Sequence, residues 1–512
     1  MNSNPRAKCQ TVQVFESTVF SRGSGRVLDG LSESCCVTLT HCRNDCHSAT
    51  IEMVKGSPFR TALALSALIL LVSLNAPAQS PDPGSTPASP VDSLTIYTEH
   101  PRLFLLPSRL RLLRRERERK SLRWEQFDLL IKGGATMQEP GFASALYYRV
   151  ADDATQGHRA IEWALKSATG SDADLRQVAL VFDWCQPLLT PGESAALVAR
   201  LERALAAKPG TSIENERSRL LAAIALADHS PKISAAGLED FFGRAWKLRL
   251  ANLRSGKAPI PLDQTFAFYE ILHAVRDNLN GDLREQYPRY FKDQGIGHLL
   301  ANYPAAFPAA ESEYRIPAKM GTGAPDLRTA ALARAAELAM VAFDSNAPES
   351  QVLQGWLMND RFLMRGTFGI PYELLWANPY QPGLSYYHVP LVFHDETFGR
   401  LYVRSNWEDS AQWLGYVDGQ LQLFEDGKIT MLNPEITRDP LDLDEAVVFF
   451  GKTTHRFRTP AKEVVDVFIV GLNPKRLYRI EIDGEEMREE RSDPGGILYL
   501  KGLRGGNGIR FQ

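Results

Sequence analysis

Cysteine is almost missing from most of the chain. Of six cysteines, Cys9, Cys35, Cys36, Cys42 and Cys46 lie ahead of Met53, and Cys185 alone follows it. A disulfide-stapled scaffold is therefore excluded for everything after Met53. Cys42, Cys46 and His47, with His41 beside them, can be drawn as a zinc site, but the spacing is loose and no second ligand pair follows. Beyond Met53 there is no metal-ligand cluster in sequence, no phosphate-cradling glycine loop and no dinucleotide fingerprint, so neither metal nor other cofactor is expected. Charge of one sign is missing too. Lysine and arginine number 58 against 61 acidic residues, a formal net charge of −3, which supplies no global field towards nucleic acid or an anionic membrane. Long apolar runs are also lacking. Residues 61–74 come nearest, and they are too few to span a bilayer comfortably.

That short run has a context. Lys55 and Arg60 precede it, and the small residues Ala76-Pro77-Ala78 follow it. A charged start, an apolar middle and a small-residue cleavage pattern together read as a secretory signal peptide over residues 53–78. Translation is expected to start at Met53, which leaves residues 1–52 as a questionable upstream extension; a genuine extension ahead of an uncleaved anchor is the alternative. The expected product is exported, periplasmic or extracellular, with no stable membrane span after cleavage. Residues 79–95, rich in Pro, Ser and Gly, read as a linker.

What remains is ordinary in composition, with 44% hydrophobic and 23% charged residues, and long enough for two domains. From His100 the pattern is helical. Helices are expected over 141–151, 154–167, 172–189, 192–207, 214–227, 238–253, 262–278 and 327–343, joined by short connections. Leu175, Val178, Ala179 and Phe182 show the 3.6 period. Thr190-Pro191-Gly192-Glu193 is a capping box with Pro at the first helical position. The basic run from Arg109 to Arg123 is interrupted by Glu116 and Glu118 and reads as a solvated helix face. After His388 the period becomes 2. Strands are expected over 400–407, 412–417, 420–425, 428–432, 446–450, 464–470, 477–482, 497–500 and 508–511, with hairpin turns at Asp426-Gly427 and Asp483-Gly484. Successive amphipathic helices bury their faces on one another in a solenoid or a closed ring. The expected fold is multidomain: an N-terminal α/α toroid, an incomplete barrel of helix pairs, over residues 96–388, then an antiparallel β-sandwich over 389–512.

Between the two periods lies a stretch dense in aromatic rings, Pro and Gly, residues 356–388. It carries Trp356, Tyr372, Trp376, Tyr380, Tyr386, Tyr387 and His388 among Asn and Arg side chains. It reads as a loop segment whose ring faces and polar tips suit sugars. An interdomain packing hinge explains the same residues.

Three stretches carry a resemblance. His100-Pro101-Arg102-Leu103-Phe104 precedes a basic helix and Trp124. Leu180-Val181-Phe182-Asp183-Trp184-Cys185 closes on Leu188-Leu189-Thr190-Pro191. Tyr402-Val403-Arg404-Ser405-Asn406-Trp407 opens the strand region. With the helix-then-strand order, residues 96–512 resemble the heparinase II/III-like family of polysaccharide lyases, alginate lyases included. The resemblance implies β-elimination at a uronic acid, in which one group neutralises the carboxylate and Tyr or His side chains move the protons. It matches Asn215 to the family's inner-helix Asn and Tyr269 to its following-helix Tyr. The chain departs from the pattern after Trp413-Leu414-Gly415-Tyr416, where Asp418-Gly419 turns directly into the next strand and the family's His-rich loop is absent.

The candidate catalytic residues are Tyr269, Tyr314, Tyr387 and His388. Candidate substrate-binding residues are Asn215, Arg217, Arg315, Tyr386 and Trp376. Each has a plainer reading: Asn215 as a helix-start residue near Ser212, Arg217 as an ion-pair partner, Tyr269 as a core ring. His229 and His273 read as structural. The partner implied is an acidic polysaccharide or oligosaccharide. Two other classes stay open: a catalytically degenerate binding or scaffold protein on the same fold, and a glycoside hydrolase. The hydrolase would draw its carboxylate pair from Glu214, Glu216, Asp263, Glu311, Glu313 and Asp360.

Overall fold

In a computed structural model, the described residues are 96–512, apart from 168–169, 309–312, 322–326 and 361–363. The upstream extension, signal peptide and linker expected from sequence lie outside them. The helices form where local chemistry starts them. Helix α1 (Pro107–Glu118) opens on proline. In α2 (Leu122–Lys132) the Ser121 side chain accepts from the Trp124 N–H. Then follow α3 (Pro140–Ala151), α4 (Ala154–Lys166), α5 (Asp172–Trp184) and α6 (Pro191–Ala206). Helix α5 has Ser171 as its cap and Asp172 and Asp174 in its first turn, where carboxylates favour the positive helix end. Both halves of the capping box form at Thr190 and Glu193. Replacing Thr190 by Ala should cost about 1 kcal/mol, read as a lower urea midpoint at constant m-value; an unchanged midpoint would show that tertiary packing alone holds this helix end.

Helix α7 (Ile213–Ala225) is followed by α8 (Pro231–Asp240), which runs through a π-helical turn (Phe241–Trp246) into α9 (Lys247–Arg254). The rest are α10 (Thr265–Leu279), α11 (Pro288–Leu300), α12 (Leu327–Phe343), α13 (Pro348–Asp360) and α14 (Gly366–Trp376). Helices α3, α5, α7, α10, α12 and α14 touch in that order, and α14 returns to α2 and α3. The ring therefore closes, with the remaining helices outside it. The segment 356–388, expected as loop, contains α14. Helix α14 is enclosed and apolar almost all round, with Pro371 inside it. A helix buried on every side has no amphipathic period to read.

Two of the three resembling stretches meet here as a clamp. Asp183 Oδ2 accepts from the Arg102 and Leu103 N–H groups at 2.9 and 2.8 Å. The Trp184 Nε1–H donates to the Leu103 carbonyl at 2.8 Å. These residues tie the leading segment to the end of α5, so their work is architectural.

The strand region begins with a five-stranded antiparallel meander, β3 (Val392–Asp395), β4 (Arg400–Arg404), β5 (Trp413–Val417), β6 (Gln420–Glu425) and β7 (Lys428–Leu432). A short ribbon of β1 (Phe307–Pro308) and β2 (Glu313–Tyr314) lies earlier, within the helical region, so residues 96–388 are not purely helical. Asp418-Gly419, Asp426-Gly427 and Asp483-Gly484 have positive φ at both residues, the geometry of tight hairpins. Two four-stranded sheets follow. One is ordered β14 (Leu498–Arg504), β11 (Val464–Val470), β9 (Ala446–Phe450), β8 (Leu441–Asp442). The other is ordered β10 (Arg456–Arg458), β15 (Gly508–Phe511), β12 (Leu477–Ile482), β13 (Glu486–Arg491).

One pairing corrects the expectation of purely antiparallel strands: β9 and β11 run parallel. The chain between them leaves the sheet to form β10 in the other, and such a crossover brings it back in the same direction. Val447 and Phe449 of β9 pack in one apolar cluster while Ala446, Val448 and Phe450 pack in another. The middle sheet is thus covered on both faces, and the region stacks as three sheets. The meander is fastened to the end of α11: the Trp413 Nε1–H donates to the Leu300 carbonyl at 2.7 Å, and the Tyr303 hydroxyl to Gln422 Oε1 at 2.7 Å.

Candidate functional site

The inner helices α3, α5, α7, α10 and α14 share a buried charged knot built at or near their N-terminal halves. Arg176 of α5 donates to Glu270 of α10 through Nη2 at 2.6 Å and Nε at 2.9 Å. Arg217 of α7 donates to the same carboxylate at 2.9 Å. Glu139, at the start of α3, accepts from Arg176 at 3.3 Å and from the Tyr372 hydroxyl of α14. Burial alone would lower the Arg176 pKa; Glu270, Tyr372 and Glu139 hold it above its ordinary value. These charges satisfy one another. Arg217, expected to grip a sugar carboxylate, is spent on Glu270.

The open chemistry lies in a cleft of about 250 Å³ between α11, the 259–265 segment and strands β3 and β4. Tyr290, Gln294 and His298 recur at four-residue spacing, so they share one face of α11, and they line the cleft with Asp395, Arg400 and Tyr402. Gly297 lets the two walls approach: a Cβ there would sit 2.7 Å from the Phe393 ring. The Arg400 guanidinium lies 5.7 Å from the Phe398 ring, which meets Tyr290 at 6.3 Å between centroids. Arg400 has no ion pair among the described residues, and its buried Nε has no hydrogen-bond partner. Burial pushes both the Tyr290 and Tyr402 hydroxyls above the ordinary tyrosine pKa, so each holds its proton near neutrality. Burial also raises Asp395, against the N–H groups of Phe398 and Thr397 and the charge of Arg400. His298 Nε2 stands 3.1 Å from Glu337 Oε1 without the alignment of a hydrogen bond, and that buried nitrogen has no other partner. A guanidinium free of hydrogen bonds among the described residues, protonated tyrosines and an imidazole can neutralise an anion and exchange protons with it.

The sequence-derived candidates fall elsewhere. Tyr269 is buried behind this wall and donates to Gln294 Oε1 at 2.9 Å, so it touches the cleft only through that amide. Asn215 donates to Asp172 Oδ1 at 2.6 Å and accepts from the Gly210 N–H at 2.8 Å, tying the starts of α5 and α7. Trp376 is 1% exposed, with His273 and Phe104 against its ring, so it is core rather than a sugar platform. Arg315 lies close enough to Tyr386 for its charge to act against the rise that burial causes in that hydroxyl's pKa. Their groups are engaged, however. Arg315 donates to the Pro304 carbonyl at 2.7 Å and to Asp360 at 3.2 Å. Tyr386 is buried and accepts from Asn359 at 2.6 Å. Tyr387 is exposed and stacks on Tyr386 at 4.8 Å between centroids. His388 is exposed. The Tyr314 backbone belongs to β2, and its side chain is not among those described.

Tyr290, His298, Arg400 and Tyr402 were missed. Gly295 and Gly297 masked α11 as a helix, and the 400–407 segment was read only as a strand.

No family model matches the chain, and no curated protein matches it. A solved structure described as "Glycoside hydrolase" aligns over 82% of this chain and 77% of its own, with a TM-score of 0.27 and 8% identity. A likeness at that level carries no argument about activity.

Proposed function

We propose that the chain takes an acidic, uronate-containing polysaccharide or oligosaccharide in the α11–β4 cleft and acts on it by β-elimination. The observation that supports this reading is the Arg400 guanidinium, which makes no hydrogen bond among the described residues and has Asp395 of the paired strand within reach of its charge, beside tyrosines that keep their protons and the His298 imidazole. Arg400 would neutralise the uronate carboxylate and acidify the C5 proton. His298 would take that proton. Tyr290 or Tyr402 would protonate the departing O4 as the C4–O4 bond breaks and the C4–C5 double bond forms. The exported location expected from residues 53–78 fits a polymeric substrate.

Product chemistry tests the reading. Purified protein incubated with a panel of polyuronates should release an unsaturated uronate, seen as rising ultraviolet absorbance that scales with enzyme. New reducing ends without that absorbance would replace elimination by hydrolysis, for which Asp395, its pKa raised by burial, is the acid in the same cleft. Retention on a polyuronate gel with no product of either kind would leave a binding protein that has lost its chemistry.

A further inference from the structure

The rim where α5 and α7 end holds a second cluster that the cleft does not use. The geometry points to a divalent metal site of the zinc class, held by His100 Nε2, Asp228 Oδ2 and His229 Nε2. These three atoms lie within 4.8 Å of one another. His100 Nε2 is 3.0 Å and His229 Nε2 is 3.6 Å from Asp228 Oδ2. Ligand atoms around a tetrahedral zinc stand about 3.3 Å apart, given bonds of about 2.0–2.1 Å, so both separations bracket what the ion needs.

The surroundings support ligation. His100 Nδ1 is 2.6 Å from Asp183 Oδ1, a carboxylate with no exposure. That contact places the ring proton on Nδ1, the carboxylate–histidine–metal arrangement that fixes a ligand's tautomer, and leaves the Nε2 lone pair to the Arg102 Nη2 group, a contact that the ion would have to displace. Arg102 is the one cation in contact with the cluster among the described residues. It donates to the other oxygen of Asp228, Oδ1, at 2.6 Å and approaches His100 Nε2. Asp228 can therefore serve the ion and Arg102 with separate oxygens, and two carboxylates face one guanidinium. The C-terminal ends of α5 and α7 add the negative helix pole, which favours a cation. The Gln186 amide N–H donates to His229 Nε2 at 3.3 Å, a bond that the ion would have to displace, and the Phe182 ring lies 5.0 Å from the His229 ring. Such an ion would staple the leading segment to the connection that follows α7, and none of its ligands lines the cleft. Sequence spacing hid the set, because its ligands come from position 100 and from the 228–229 pair.

The test uses the full chain, stripped with chelator and titrated with zinc by calorimetry beside His229→Ala and Asp228→Asn. Both positions are partly exposed, and Asn keeps an oxygen for Arg102. The wild type should bind one zinc equivalent that each variant loses or binds at least a hundredfold more weakly, since even outer partners of a ligand are worth 10–100-fold. Zinc should raise the thermal midpoint of the wild type and leave both variants unmoved. Cobalt(II) guards against the upstream cysteines: the wild-type-minus-variant spectrum should show weak visible bands and no intense thiolate charge transfer. Identical zinc binding by folded wild type and variants, no zinc uptake at all, or a thiolate band in the difference spectrum would each overturn the site and leave an ion-paired clamp.

Discussion

Glu270→Ala should cost about 3–5 kcal/mol of folding stability, the range seen when one member of a buried ion pair is removed. Arg176 and Glu270 have no exposure, and Arg217 is nearly as enclosed. Deleting the carboxylate leaves two guanidinium groups buried, with Glu139 at 3.3 Å as the remaining anion near Arg176. Against a total stability of about 5–15 kcal/mol, the variant should be partly unfolded at moderate temperature. Urea unfolding followed by circular dichroism gives the number from the midpoint shift. A companion variant separates charge from shape. Replacing Arg176, Glu270 and Arg217 together by Met and Leu removes the desolvation cost as well as the attraction, so it should fall much less than Glu270→Ala or even rise. If Glu270→Ala unfolds within about 1 kcal/mol of the wild type, water or side-chain movement relieves the arginines and the knot is not a closed one.

The same knot shows how the sequence could and could not be read. Arg217 stood out in the sequence as a cation for either a sugar carboxylate or an ion pair. Whether it met a sugar or Glu270 depended on α7 and α10 coming together, which no local pattern states. The strands were legible because alternation and Asp-Gly turns are local signals: 420–425, 428–432, 446–450, 464–470, 477–482 and 508–511 form as expected. Strand β13 was not, because Glu486–Arg491 is an exposed, charged edge without alternation. Helix α14 failed for the opposite reason, being buried nearly all round with a proline inside. The resembling motifs around His100 and Asp183 marked architecture, since Asp183 spends its oxygens on His100 and on backbone N–H groups. The cleft was hidden twice over. Its tyrosines and histidine lie on a helix obscured by Gly295 and Gly297, and its arginine starts a strand that offered no functional signal by itself.

Arg400 is where the proposed chemistry stands or falls. If the cleft eliminates across a uronate, the charge that grows as the C5 proton leaves sits on the carboxylate, and Arg400 is the cation placed to meet it. Removing one such stabilising group costs about a hundred- to a thousandfold in turnover. Arg400→Ala should therefore lower kcat by at least about a hundredfold, with a rise in KM if the ground-state carboxylate is held by the same group. Arg400→Lys keeps the charge but loses the planar fork, and should recover part of kcat. His298→Ala should lower kcat to a similar extent with little change in retention on a polyuronate gel, because a proton acceptor acts mainly in the transition state. Folding is not the confounder. The Arg400 side chain makes no hydrogen bond among the described residues; its loss takes a favourable charge from Asp395, which keeps the N–H groups of Thr397 and Phe398. Steady-state rates with circular dichroism as the folding control decide the matter. Full activity in Arg400→Ala would remove the residue from the site and with it the uronate reading of this cleft. Loss of binding with no kcat effect would make Arg400 a docking group, and the carboxylate would need another cation at the reacting carbon.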